Sequence, residues 1–325
     1  MKIKKQRGQR LIGVARLLEL YRAGKGRSKH KDKKANGGKV PMEYIYSEST
    51  LLLYIAIWGY YLLFLRIFDL RHRDIGSLVL YLQWYADYLA DAGYSAWTIK
   101  SRVSAIKKAL GVNCQIWTPR RLRKNIKRSR GHASDGYLRG KAKKHGRIVL
   151  FCLCVGLRKC KELKRVHGSD LVYKNGVAYI HVRKGKGGQP RDVKIIGSRA
   201  EVEMIVKMCQ DAVKAAKQKA AESGRAVKDN DDLLFPVLPS DLDVHAMRAI
   251  YACRAYLSAE RDLSTLDEVY HFARDMAGLQ TDMAAMLYAS EQLGHHRISV
   301  IAGHYMWPLD YVRHADFSWV LGFCK

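Results

Sequence analysis

The sequence predicts a mainly α chain with a small antiparallel β-sheet, an α+β class arranged in two domains. Three observations lead there. Apolar residues recur at helical spacing through residues 44 to 110. Short β-rich runs flank Asn175 and Gly176, a dipeptide that favours a tight hairpin turn. The 325 residues are 48% hydrophobic and 10% aromatic, enough to bury more than one core.

Charge divides the chain. Lys and Arg number 58 against 30 Asp and Glu, a formal +28 that calls for a polyanionic partner, nucleic acid first and an anionic membrane surface second. Residues 1 to 40 hold fourteen Lys/Arg and two acids; residues 119 to 147 hold twelve and one. Both segments are rich in Gly or Ser and poor in large apolar residues. The expectation is therefore a basic flexible arm over 1–43 and a basic linker over 113–144, together clamping a duplex through phosphate contacts.

Residues 44–112 read as a helical domain with helices near 49–66, 74–91 and 95–109. The first contains TLLLYIAIWGYYLLFL, sixteen residues without a charge, short of the roughly 20 that span a bilayer. Its tyrosines and the cap signal in YSEST favour a core helix, and no membrane partner is expected. In the third, Ser95 caps and Ile99, Val103 and Ile106 form the apolar stripe, leaving Lys100, Arg102, Lys107 and Lys108 outside it. Lys100, Arg102 and Lys107, with Arg120, Arg121, Arg123 and Lys124 of the linker, are the candidate DNA contacts.

From 145 to 325 the pattern mixes types. A helix near 146–166 precedes strands at 171–173 and 177–182, a second hairpin through KGKGGQPRDVKII, a long helix near 199–222, a polar loop and further helices. KGKGG lies in a hairpin rather than between a strand and a helix, so it is not a nucleotide-phosphate loop. Seven cysteines, with Cys152, Cys154 and Cys160 lacking paired CxxC spacing, read as buried thiols in a reducing compartment. A cytoplasmic, nucleoid-associated protein without metal is the expectation.

Four fragments carry chemistry, in order: GLRKCKEL with Arg158, KGKGGQPRDV with Lys186, HAMR with His245 and Arg248, and LGHHRISVIAGHY with His295 and Tyr305. Breaking a phosphodiester by side-chain attack needs an in-line nucleophile, cations on the non-bridging oxygens and a proton for the departing 5′ oxygen. Arg158 and Arg248 suit the second task, because planar guanidiniums hold phosphate bidentately and stay charged. His245 and Arg248, three apart, share a helix face.

In these fragments, and in YLADAGYSAWTIKSRVSAIKKAL, the sequence resembles the tyrosine recombinase, or phage integrase, family over roughly residues 45 to 310. The resemblance implies a helical core-binding DNA domain over 44–112 and a catalytic domain with a C-terminal tail over 145–325. It implies Tyr305 as the nucleophile that forms a 3′-phosphotyrosine. Lys186 would protonate the leaving oxygen, with Lys184 its near rival. His245 would be an acid/base or phosphate donor, and His295 a second phosphate donor. It further implies no cofactor, double-stranded DNA attachment sites, a monomer that becomes a tetramer on DNA, and an accessory DNA-bending protein. The reaction would integrate or excise a mobile element, and the tail would dock on a neighbour or on its own domain.

Two spacings depart from the family pattern. Tyr305 lies ten residues after His295 rather than nine, and Glu162 four after Arg158 rather than three. His296 and Tyr311 therefore stay open as alternatives, as does the supporting role of Glu162. A type IB topoisomerase-like enzyme and a noncatalytic DNA-binding or architectural protein are the competing functions.

Overall fold

The computed structural model describes residues 2–70, 74, 76–122, 134–185 and 189–324. Mainly α with small antiparallel sheets, the chain separates into two compact units, Met1–Lys127 and Arg128–Lys325, each with its own apolar core.

Among its described residues the amino-terminal unit is built on α-helices: α1 (Lys2–Gly24), α2 (Lys29–Ala35), α3 (Glu48–Ile67), α4 (Leu82–Asp91) and α5 (Ala96–Leu110). Ser47 and Ser95 cap α3 and α5 by accepting from the amides of Thr50 and Thr98 at 3.3 and 3.2 Å. Gly111 ends α5 in the left-handed region, φ +73°, where a glycine carries no steric penalty. Between the helices Tyr61, Phe64 and Tyr85 pack edge to face at ring separations of 5.0 to 5.1 Å for the pairs that include Tyr85. Helix α3 is long and apolar enough to cross a membrane by composition, yet it buries Leu51, Ile57, Trp58, Tyr61, Leu62, Phe64 and Leu65 in this core.

The flexible arm expected over 1–43 is corrected here. Residues 2–24 form α1, and Leu17 is fully buried in the core that includes Trp58 and Tyr61. Gly13 permits the close approach, since a Cβ there would fall 2.4 Å from the Trp58 indole. The basic surface masks an apolar stripe through Val14, Leu17, Leu18 and Tyr21 that is worth about 1.5–3 kcal/mol per fully buried residue. Helix α2, by contrast, buries nothing.

In the carboxy-terminal unit, α6 (Asp135–Cys154) is kinked at His145. It replaces two expectations at once: residues 135–144 of the supposed linker are helical, and the helix expected over 146–166 stops at Cys154. The remainder of that linker at 123–133, with Arg123 and Lys124, lies outside the described residues. Strands β1 (Leu171–Lys174), β2 (Val177–Val182) and β3 (Arg191–Lys194) form an antiparallel sheet in that order. The β1–β2 turn uses Asn175 and Gly176 at φ +50° and +77°, as the hairpin dipeptide predicts. Helix α7 (Arg199–Glu222) opens with a reciprocal cap between Ser198 and Glu201.

The axis of the unit is α8 (Val244–Leu257), buried at Val244, from Ala246 to Cys253, and at Ala255 and Tyr256, and packed by α6, α9 (Met283–Gln292) and α11 (Leu309–His314). A two-stranded hairpin, β4 (Val269–His271) and β5 (Gln280–Asp282), interrupts a stretch expected to be helices alone. Helix α10 (Ile298–His304) follows α9. Beyond α11 the tail packs on its own unit, with Val320 and Cys324 in the core and the Phe323 carbonyl where a Gly146 Cβ would be. Cys152 and Cys154 are buried as expected, but Cys160 is exposed, because the helix has ended before it.

Candidate active site

The cleft is built around the start of α8. Asp243 caps that helix by accepting from the Ala246 amide at 3.0 Å, which places His245 in its first turn and Arg248 one turn deeper. Together with Leu157, Arg158, Lys159, Leu242, Val244, His295 and Tyr305, these residues line an open cleft of about 430 Å³. Residues separated by up to 148 positions in the chain thus meet around one space.

Arg158 sits just past α6, where the chain turns extended at Val155. Its side chain donates to Glu162 Oε1 at 2.5 Å and to the Leu293 carbonyl at 3.1 Å. Its backbone amide donates to Glu162 Oε2 at 2.9 Å, closing a local loop. Lys159 ties the same segment to the entrance of α8 by donating to the Ser240 and Leu242 carbonyls, both at 2.9 Å.

Arg248 is 2% exposed. It donates to the Leu293 carbonyl at 2.6 Å and to the Gly156 carbonyl, and its Nε reaches Tyr305 Oη at 3.4 Å. Burial, and then the nearby Arg158 charge, pull its pKa down to about 10, which still leaves it cationic at neutral pH.

Glu162 is the hub. Its carboxylate accepts from Arg191 in a bidentate fork at 2.9 and 2.8 Å, and Arg248 lies 3.9 Å away. Burial would raise its pKa, but Arg191 and then Arg158 outweigh that and hold it at about 2. The one-residue spacing departure therefore does not remove Glu162 from the arginines. Three guanidiniums share this carboxylate, and Asp243, the other acid at the rim, is committed to capping α8. The cleft is left with an excess of positive charge.

Tyr305 follows α10 directly, and its amide closes that helix by donating to the Ile301 carbonyl at 2.9 Å. Its ring lies between two imidazoles, 5.2 Å from His245 and 5.7 Å from His295. His295 Nε2 is 3.4 Å from the tyrosine hydroxyl. The loop carrying His295 is pinned at both ends: its amide donates to the Ser290 carbonyl at 2.9 Å, and the Ser290 side chain exchanges hydrogen bonds with the Arg297 backbone. Desolvation and the Arg248 charge hold the His245 imidazole below its ordinary pKa.

The alternatives separate cleanly. His296 is exposed at φ +53° and does not line the cleft, and His304 is exposed as well. Tyr311 does not line the cleft either; it donates to Asp135 at 2.8 Å, and burial followed by that carboxylate raises its pKa strongly. Lys186 lies outside the described residues. Lys184 is exposed and lines a neighbouring pocket with Lys161, Lys164 and Arg165 rather than this cleft.

The candidate DNA contacts fare unevenly. Lys100 is exposed on α5, and Arg120 and Arg121 are exposed beyond it. Arg102 is held over the Tyr94 ring at 4.5 Å and donates to Tyr85 Oη at 3.4 Å. Lys107 is spent within the chain, donating to the Cys114 carbonyl at 2.5 Å. Lys108, assigned to the polar face, is 6% exposed: it donates to the carbonyls of Pro41, Met42 and Tyr44, and burial lowers its pKa to about 8. A lysine on the flank of an apolar stripe can be buried when a crossing loop supplies carbonyls.

No family description and no curated protein sequence matches the chain. Among solved structures, it is similar to the XerH site-specific recombinase bound to difH substrate in a pre-cleavage complex, with 15% identity, 94% of this chain and 95% of that one covered, and a TM-score of 0.41. It is also similar to the XerA recombinase, with 14% identity, 95% of each chain covered, and a TM-score of 0.30.

Proposed function

We propose that this chain is a site-specific DNA recombinase that cuts and rejoins DNA through a 3′-phosphotyrosine. The observation that carries the reading is Tyr305, 6% exposed, with its hydroxyl 3.4 Å from both Arg248 and His295 in the lining of a cleft whose guanidiniums outnumber the carboxylate they share. Such a cleft is preorganised for an anion, and a phenol in its lining can attack that anion.

In the proposed step, Tyr305 Oη bonds to phosphorus while the bond to the 5′ oxygen breaks. Arg158 and Arg248 hold the non-bridging oxygens, and His295 donates to one of them. The phenolic proton passes to His245, whose depressed pKa leaves the imidazole neutral and able to accept it. The departing 5′ oxygen takes a proton from Lys186 of the β2–β3 turn. The new phosphodiester keeps the bond energy, so a free 5′ hydroxyl reverses the step on the same or an exchanged strand.

The partners follow from that reading: duplex attachment sites, a homo-tetramer assembled on DNA, and a mobile element whose integration or excision the exchange accomplishes.

Covalent capture tests the function on DNA of undefined sequence. The protein is incubated with a pool of randomised nicked duplexes, protein-linked strands are recovered and sequenced, and the adduct is mapped by tryptic digestion. The expected adduct lies on the Tyr305 peptide at a 3′ phosphate and disappears in Tyr305→Phe, with DNA binding retained. Capture followed only by plasmid relaxation, with no exchanged strands, would place the enzyme with type IB topoisomerases. No capture at all would leave a DNA-binding protein.

A further inference from the structure

We propose that Arg191 is a positioning residue that, through Glu162, fixes Arg158 against the edge of β3; the proposal rests on the strand-transfer reading above. Arg191 does not line the cleft, and no step of the mechanism uses it. Its contacts nevertheless reach Glu162, beside Arg158, and the segment that leads into His295.

The guanidinium touches three things at once. Both terminal nitrogens grip Glu162, the carboxylate that orients Arg158. Its Nε donates to the Gln292 carbonyl at 3.3 Å, one residue before the Leu293 carbonyl that Arg158 and Arg248 share. Its side chain also crosses Gly294, where an added Cβ would stand 3.1 Å from Arg191 Cδ. Gly294, at φ +69°, is the residue before His295.

At its other end Arg191 belongs to the sheet. It pairs with Val182 as the last register pair of β2 and β3, beside the turn that contains Lys186. That turn is gathered by the Gly185 amide donating to the Gln189 carbonyl at 2.9 Å. The path from β3 to the phosphate site is short: Arg191, Glu162, Arg158. With Glu162 only 1% exposed and Arg191 13% exposed at the side chain, little water competes for the fork. A lysine keeps the charge but loses the planar fork that fixes two directions together.

A misplacement of about 1 Å in a reacting group costs on the order of 100-fold in rate, and loss of an orienting partner typically costs about 10–100-fold. Arg191→Met and Arg191→Lys, made in the full chain and assayed on a duplex recovered by wild-type capture, should slow adduct formation in that 10–100-fold range with DNA affinity unchanged. Arg191→Lys retains a cation beside Glu162 and so guards against a variant that fails to fold. Both variants, like Arg158→Ala, should stay impaired on a 5′-bridging phosphorothiolate, whose sulfur leaves without a proton, because the contacts of Arg191 lead through Glu162 to the phosphate-holding Arg158. Recovery of most of the loss on that substrate would overturn the proposal.

Amide hydrogen exchange provides the arm that needs no chemistry. Arg191→Met should speed exchange at Gly185 and His295 while α8 stays protected. Unchanged exchange at those two amides would overturn the positioning role, and wild-type protein that forms no adduct would overturn the strand-transfer reading instead.

Discussion

Arg158 and Arg248 meet on a single acceptor, the Leu293 carbonyl, at 3.1 and 2.6 Å. That carbonyl lies at the C-terminal end of α9, where unpaired carbonyls and the helix dipole concentrate negative potential. Two like charges are thus held near each other before any phosphate arrives, one deep and one at the surface of the cleft.

The difference in depth separates their substitutions. Arg158→Ala and Arg248→Ala should each lower cleavage by about 100- to 1,000-fold. Arg248→Ala should also lower unfolding free energy by about 2–4 kcal/mol, because it empties a fully buried position, takes the side-chain donor from the Gly156 carbonyl and leaves the Leu293 carbonyl with Arg158 alone. Arg158→Ala should cost about 1 kcal/mol. Urea unfolding that gives the two variants equal losses would contradict this account.

Tyr305 is assembled with the arginines of its own chain, so cleavage should occur in cis. A mixture of Tyr305→Phe and Arg248→Ala proteins should form no more adduct than either alone on a two-site duplex. Restored adduct on the Arg248→Ala chain would mean that the tyrosine is donated across subunits.

Glu162 sets a pH dependence. Its pKa in the fold is about 2 against an ordinary 4.5. A depressed folded pKa contributes stability that is present above the ordinary value and lost as pH falls through the folded one. Unfolding free energy should therefore decline from about pH 4.5 toward pH 2, by an amount on the order of 3 kcal/mol. Glu162→Gln should be less stable at neutral pH and flatter over that window. A wild-type slope no steeper than that of the variant would refute the assignment.

Salt dependence tests whether the amino-terminal unit contacts phosphate, as the proposed function requires. Deleting residues 1–40 would remove α1 and its buried Leu17, confounding binding with unfolding. The informative change is Lys29, Lys33 and Lys34 to Gln on α2, which buries nothing. If all three contact phosphate, the slope of log K against log salt should become shallower by about 2.7. An unaltered slope would remove α2 from the interface.

Much of the site was legible because its chemistry is carried by residue types in a fixed order. Arg158, His245, Arg248, His295 and Tyr305 do line one cleft, and the Ser198–Glu201 cap and Asn175–Gly176 turn marked α7 and the first hairpin through local hydrogen bonds. What escaped depends on distant partners. Whether a lysine is a phosphate contact or a buried staple is settled by a loop 64 residues or more away, as for Lys108. Charge counting hid the apolar stripe of α1, and three-residue strands such as β4 and β5 are too short for periodicity to register.

If the surplus of guanidinium over carboxylate around Glu162 takes up a small anion, folding itself becomes a function of the dissolved anions. Any small oxyanion that occupies the cleft binds the folded chain and not the unfolded one, so it raises the melting temperature by mass action, by about 2.7 kcal/mol in free energy at a hundred times its dissociation constant. Sulfate or phosphate in a buffer would then both protect the protein and occupy the place proposed for the scissile phosphate, and a chloride solution of equal ionic strength would do neither.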